Sequence, residues 1–218
     1  MQDIFGKKRS IFFLFFVNHQ GMEYAFHTYN AHAGNGITTS LNHLLHKTTG
    51  AGTDLTPKLP VIVCVGSDLV IGDSLGPLTG SMLAFKTQGL GAYVYGTLSA
   101  PITAKEIRYL KDFLKRTHPH TPIIAVDAAV GTPDDVGLIK VTDRPLSPGS
   151  GANKQLGCFG NASILGVVAE KSVGNYALFN NTRLRLVHEM ANQISEGIAT
   201  LLHDYSARRF HRAEPLAE

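Results

Sequence analysis

The chain has 218 residues, 44% of them apolar, and a formal net charge of +3. That length is enough to bury one core, and one domain is the default expectation. The two short basic clusters, Lys7-Lys8-Arg9 and Arg208-Arg209 with Arg212, do not make the long basic stripe with interleaved aromatics that marks direct nucleic-acid binding.

Two cysteines, Cys64 in an apolar run and Cys158 in a glycine-rich loop, argue against a disulfide framework and for reduced thiols inside a cell. No histidine is evidently placed to activate Cys158 as a nucleophile. The apolar stretch 11–17 follows basic residues, yet it is far shorter than the about 20 residues of a membrane span and lacks a small-residue cleavage site. No membrane partner is expected. Residues 1–21 read as a weakly structured extension, and Met22 is an alternative start.

The whole segment 1–59 is rich in His, Thr, Asn and Gly and reads as a weakly structured N-terminal extension contributing little to stability. Within it, residues 40–46 fit a short helix with Leu41, Leu44 and Leu45 on one face. His43 and His46 share its i,i+3 spacing, but solvated histidines are the expectation, because no further metal ligand is evident nearby.

Order is expected to begin at Pro60. Val61-Ile62-Val63-Cys64-Val65 is a continuous apolar run, the pattern of a strand buried on both faces. A helix is predicted from about Pro77 to Gly89 or Gly91. A second strand is predicted over 92–98. Thr103 and Glu106 form a capping box that opens a helix carrying Ile107, Leu110, Phe113 and Leu114, stopped by His118-Pro119. His118 and His120 read as surface residues. Further strands are predicted over 122–126, 138–141 and 162–168. Asn181 or Thr182 caps a long final helix with Leu184, Val187, Met190, Ala191, Ile194, Ile198, Leu201 and Leu202 along its inner face. The expected organisation is one domain over 60–205 and a polar tail over 206–218. Alternation of strands and helices predicts an α/β three-layer sandwich with a mostly parallel twisted sheet.

In such sheets functional groups gather at the carboxyl ends of strands. The stretch Gly66-Ser67-Asp68-Leu69-Val70-Ile71-Gly72-Asp73-Ser74-Leu75-Gly76-Pro77 follows a buried strand and precedes a helix. It is neither a P-loop nor a dinucleotide loop: five residues separate Gly66 from Gly72, and an aspartate stands where a P-loop has its lysine. The loop presents a carboxylate, Asp73, whose plain alternative role is to cap the helix. Asp127 follows the apolar run 123–126 and is expected at the same edge of the sheet, unless nearby backbone amides merely satisfy it. Two close carboxyls resist double ionisation and can share a proton, which suits general acid–base hydrolysis. A third stretch, Pro148-Gly149-Ser150-Gly151-Ala152-Asn153-Lys154, has the small residues that let a substrate backbone approach and N–H groups aim at an oxyanion. It also fits a plain surface loop.

Together these segments resemble the YyaC-type sporulation proteins over about residues 60–205, through VGSDLVIGDSLGPLTG, GTLSAPITAKEI, VDAAVG and FNNTRLRLVHEMA. More distantly the chain is similar to the germination protease of spores, in the D-x-L-G-P context of Asp73, the D-A context of Asp127, and the PGSG…NK loop. The resemblance implies a phosphorylase/hydrolase-like fold and makes Asp73 and Asp127 the catalytic candidates. Gly66, Ser67, Asp68, Ser74, Gly149, Ser150, Gly151, Asn153 and Lys154 are then the substrate-binding candidates. The hydrogenase maturation endopeptidases are more remote relatives that hold nickel through two carboxylates and a histidine. Asp73 and Asp127 match the acids, but no histidine matches, so no metal and no cofactor are expected.

The implied function is an endopeptidase acting on a protein or peptide substrate in the cytoplasm of a sporulating cell or forespore, with homo-oligomer formation left open. Two alternatives stand beside it: a non-catalytic binding or regulatory member of the fold, and a metal-dependent maturation peptidase.

Overall fold

Apolar runs that alternate with amphipathic stretches line up as a seven-stranded sheet with helices on both faces. The computed structural model describes residues 14–18, 21–48, 58–103, 105–148, 157–171 and 182–213. In chain order the elements are β1 (Leu14–Asn18), β2 (Gly21–His27), α1 (Ala33–Thr48), β3 (Val61–Cys64), a 3-10 turn (Ile71–Ser74) and α2 (Leu75–Lys86). There follow β4 (Val94–Tyr95), α3 (Ile107–Thr117), β5 (Ile123–Gly131), a second 3-10 turn (Pro133–Asp135), β6 (Leu138–Thr142), β7 (Ala162–Glu170) and α4 (Leu184–Ala213). The strand order is β1-β2-β6-β7-β5-β3-β4.

Strand alternation sorts β3 onto two cores. Ile62 and Cys64 join Ile124, Val126, Ile164, Met190 and Ile194 in the core beneath α1, α2 and α4. Val61, Val63 and Val65 join Ala125, Ile107, Leu110 and Leu114 beneath α3 on the opposite face. The inner face of α4 is as expected from Val187 through Leu202, all buried, except that Leu184 at its start is exposed. Only half of the expected capping box forms: the Thr103 N–H donates to Glu106 Oε2 at 2.9 Å, but the Glu106 N–H bonds the Thr103 carbonyl instead of its hydroxyl, and α3 starts at Ile107 with Glu106 as its N-cap.

Four expectations need correction. First, the sheet is mixed and not mostly parallel. β3–β4, β3–β5 and β5–β7 run parallel, while β1–β2, β2–β6 and β6–β7 run antiparallel. The short connection 132–137 cannot carry the chain back to the other end of the sheet, so β6 must run opposite to β5.

Second, residues 21–48 are not a loose extension. β2 pairs with β6, and α1 buries Ala33, Ile37, Leu41, Leu44 and Leu45 against α4. Thr38 Oγ1 donates to the Gly197 carbonyl at 2.8 Å, and a Cβ on Gly36 would lie 2.2 Å from the Phe26 ring. Gly36, one of the glycines that suggested looseness, is a point of close approach. His43 Nδ1 meets the Tyr24 hydroxyl at 2.5 Å.

Third, α4 continues to Ala213, through most of the stretch expected to be a tail. Fourth, His118 is buried and hydrogen-bonds the Tyr95 hydroxyl at 2.8 Å, while His120 is exposed.

Candidate active site at the β3–β5 switch point

The chain leaves β3 through α2 for β4, which lies on one side of β3. It leaves β4 through α3, on the opposite face, for β5 on the other side. The two connections therefore part at the carboxyl ends of β3 and β5. In open α/β sheets the crevice at such a divergence is where ligands bind.

The loop after β3 is pinned from several directions. The Val65 N–H donates to the Val126 carbonyl at 2.8 Å, and the Gly66 N–H donates to the Ile102 carbonyl at 2.9 Å. Gly66 has φ +142°, and a Cβ there would lie 2.1 Å from the Asp73 carbonyl oxygen, so only glycine fits. The Ser67 N–H donates to that same carbonyl at 3.0 Å. A Cβ on Gly76 would lie 1.9 Å from the Val65 carbonyl oxygen, which shows how closely α2 starts against the end of β3. Asp73 rides on the 3-10 turn between these contacts.

Asp73 is not the helix cap. The N-cap of α2 is Ser74, which makes no side-chain cap bond, and its hydroxyl donates to the Ile71 carbonyl at 2.7 Å. The Asp73 carboxyl is held above the ordinary aspartate range by desolvation, opposed by a hydrogen bond from the Ser67 backbone.

Asp127 lies within β5 rather than after it, opposite Leu165 of β7. Its Oδ1 accepts the Ala128 N–H at 2.8 Å. Desolvation, then the charge of Asp73, hold its carboxyl well above the ordinary range, with the Ala128 N–H opposing. Each acid is thus biased toward its protonated form, and the charge of Asp73 adds to the rise at Asp127.

The remaining candidates divide. Gly66 is buried and shapes the turn. Ser67 Oγ accepts the Leu69 N–H at 3.2 Å, and Asp68 and Leu69 are exposed at the crevice mouth. Ser74 is buried, and its hydroxyl is already engaged within the turn. Gly149, Ser150, Gly151, Asn153 and Lys154 lie outside the described residues. The roots of their loop, Leu146 and Phe159, bond to each other and join the core under α3 with Val63, Val65 and Ala125. Cys64 is buried with its thiol pushed up to about 12, while Cys158 is exposed. Among the described residues no group of three or more His, Cys, Asp or Glu is placed to hold a metal ion, and no helix is long and apolar enough to cross a membrane.

Two participants escaped the sequence reading: the Ala128 N–H, and Ile102, whose carbonyl holds Gly66. The first had a signal. The apolar pattern continues through Ala128, Ala129 and Val130 to Gly131, and only the acid in its middle suggested that the strand had ended.

The chain is 38% identical over 194 residues to the uncharacterized protein YyaC of Bacillus subtilis (strain 168), covering 89% of each chain. Residues 26–197 match the family described as "Protein of unknown function (DUF1256)". The matched span includes all of α1 and both aspartates, and the chain belongs to this family.

Proposed function

We propose that the chain is a peptide-bond hydrolase in which Asp73 and Asp127 share the acid–base work. The observation that supports this reading is that Asp73 and Asp127 follow the paired ends of the neighbouring strands β3 and β5, and that the charge of Asp73 raises the Asp127 carboxyl. Asp127, the more strongly biased toward protonation, holds the proton. Asp73, supported by the Ser67 backbone, is the base. Asp73 takes a proton from water as the water oxygen attacks the carbonyl carbon, while protonated Asp127 donates to the carbonyl oxygen. The proton held by Asp73 then passes to the nitrogen as the C–N bond breaks, and one hydroxyl of the intermediate returns its proton to Asp127, so that the starting protonation of the pair is restored.

The substrate is a protein or peptide, and the setting is the cytoplasm of a sporulating cell or forespore, in line with the family resemblance. The test is incubation of the full chain with spore extract and identification of new termini by mass spectrometry. New termini are expected with the wild type and absent with Asp73→Asn and with Asp127→Asn. Cleavage that persists in both variants overturns the reading. A wild type that produces no termini under any condition favours a binding or regulatory role for the same crevice.

A further inference from the structure

β5 outruns β3. The β3–β5 ladder ends at Cys64 and Val126, with the Val65 N–H bonding the Val126 carbonyl just beyond, whereas β5 continues to Gly131. On its other side β5 stays paired with β7 to Gly131, with a register shift between Ala129 and Val130 where β7 carries one extra residue, Val168, and the Lys171 N–H reaches the Gly131 carbonyl at 2.7 Å.

Backbone groups of alternate residues in a strand point to opposite sides. The Val126 carbonyl points toward β3 and the Gly131 carbonyl toward β7. The N–H and C=O groups of Ala128 and Val130 therefore face the lane that β3 has vacated. Among the described residues no strand fills that lane. Ala128, Ala129 and Val130 are each only half-buried. Among the described residues the one bond made into the lane is local: the Ala128 N–H turns to the side chain of Asp127.

We infer that an extended segment of polypeptide adds along β5 over Ala128–Val130 as a temporary strand. Its identity as substrate rests on the peptidase reading above. The geometry matches what a strand requires: a donor and acceptor at Ala128, then a donor and acceptor at Val130, spaced as in a ladder. A carbonyl of the incoming segment takes the Ala128 N–H in place of Asp127. That carbonyl then lies beside both carboxyls, so recognition and the chemistry share one contact. The substrate class that follows is a chain region without folded structure, read through its backbone more than through any one side chain.

The probe for the test is reduced, carboxymethylated α-lactalbumin, an unstructured chain, because backbone recognition tolerates sequence. Amide exchange is followed by mass spectrometry in the wild type and in Asp127→Asn, and cleavage is followed in parallel. Exchange across 128–131 is expected to slow in the presence of the probe. Val130→Pro removes a donor facing the lane without breaking a bond to β7, and proline is tolerated at such an edge. That variant is expected to lose both the protection and any cleavage while keeping the wild-type melting temperature. If it does not fold, protection in the wild type alone decides. Protection without cleavage supports strand addition and overturns the peptidase reading. Cleavage without protection, with Val130→Pro as active as wild type, overturns strand addition and leaves the peptidase reading standing. Neither protection nor cleavage at saturating probe overturns strand addition as well.

Discussion

Gly76→Ala puts a single methyl group where α2 meets the end of β3. Its Cβ would lie 1.9 Å from the Val65 carbonyl oxygen, and real Cβ contacts essentially never fall under 3.0 Å. The obstacle is backbone on both sides, so the start of α2 must retreat from β3 by more than about 1 Å, carrying the Asp73 turn with it. Overpacking of this kind costs about 1–3 kcal/mol. In a chain of this size each kcal/mol lowers the melting temperature by about 2–4 °C, giving a fall of roughly 2–12 °C. A misplacement of about 1 Å at a reacting group lowers rate by roughly 100-fold. Activity should therefore fall far more than stability does. Gly89→Ala is the control: nothing lies within 4 Å of its Cβ, but φ is +82°. It should cost about 1–2 kcal/mol and leave cleavage intact. Calorimetry gives the melting temperatures, and cleavage of the substrate found in spore extract gives the rates. A Gly76→Ala protein with wild-type melting and wild-type rate refutes the reasoning.

A chain starting at Thr53 loses Phe26, Ile37, Leu41, Leu44 and Leu45 from the core, each worth about 1.5–3 kcal/mol, against a total stability of about 5–15 kcal/mol. It should show no cooperative thermal transition, and a sharp melt near that of the full chain would contradict the placement of α1. Leu41→Ala alone should cost about 2–5 kcal/mol in denaturant titration. For pH, both carboxyls are raised in the fold, so their contribution to stability is present below the unfolded value near about 4 and is lost as pH rises through the folded values. Asp127→Asn should thus be at least as stable as wild type at neutral pH, with its advantage shrinking in acid; an advantage that grows in acid would reverse the sign of the account.

Much of the parallel half of the fold was legible, because its strands are continuous apolar runs and its helices carry clear stripes. Val61–Cys64 and the inner face of α4 follow directly from such patterns. The antiparallel half was not. β2 buries only its middle residues Tyr24, Ala25 and Phe26 in a mixed sequence, and α1 hides its stripe among Thr, His and Gly. Gly36 and Gly197 look like breakers in the sequence, yet in the fold they are the contact points that bring Phe26 and Ile37 close. The two acids were legible from their positions after apolar runs. Their depth was not, because it depends on β5 continuing past Asp127 alongside β7. The vacated lane beside Ala128 and Val130 is a property of two strand lengths compared, which no local pattern encodes.

The central claim is that Asp73 and Asp127 form one coupled acid pair, and the carboxyl-carbon NMR titration of Asp127 tests it without any substrate. In the wild type Asp127 should titrate well above an ordinary aspartate. In Asp73→Asn its midpoint should fall, because the neighbouring charge is gone, yet stay above the ordinary value, because burial is the larger cause. An Asp127 that titrates as an ordinary aspartate, or whose midpoint is unmoved by Asp73→Asn, would contradict the account.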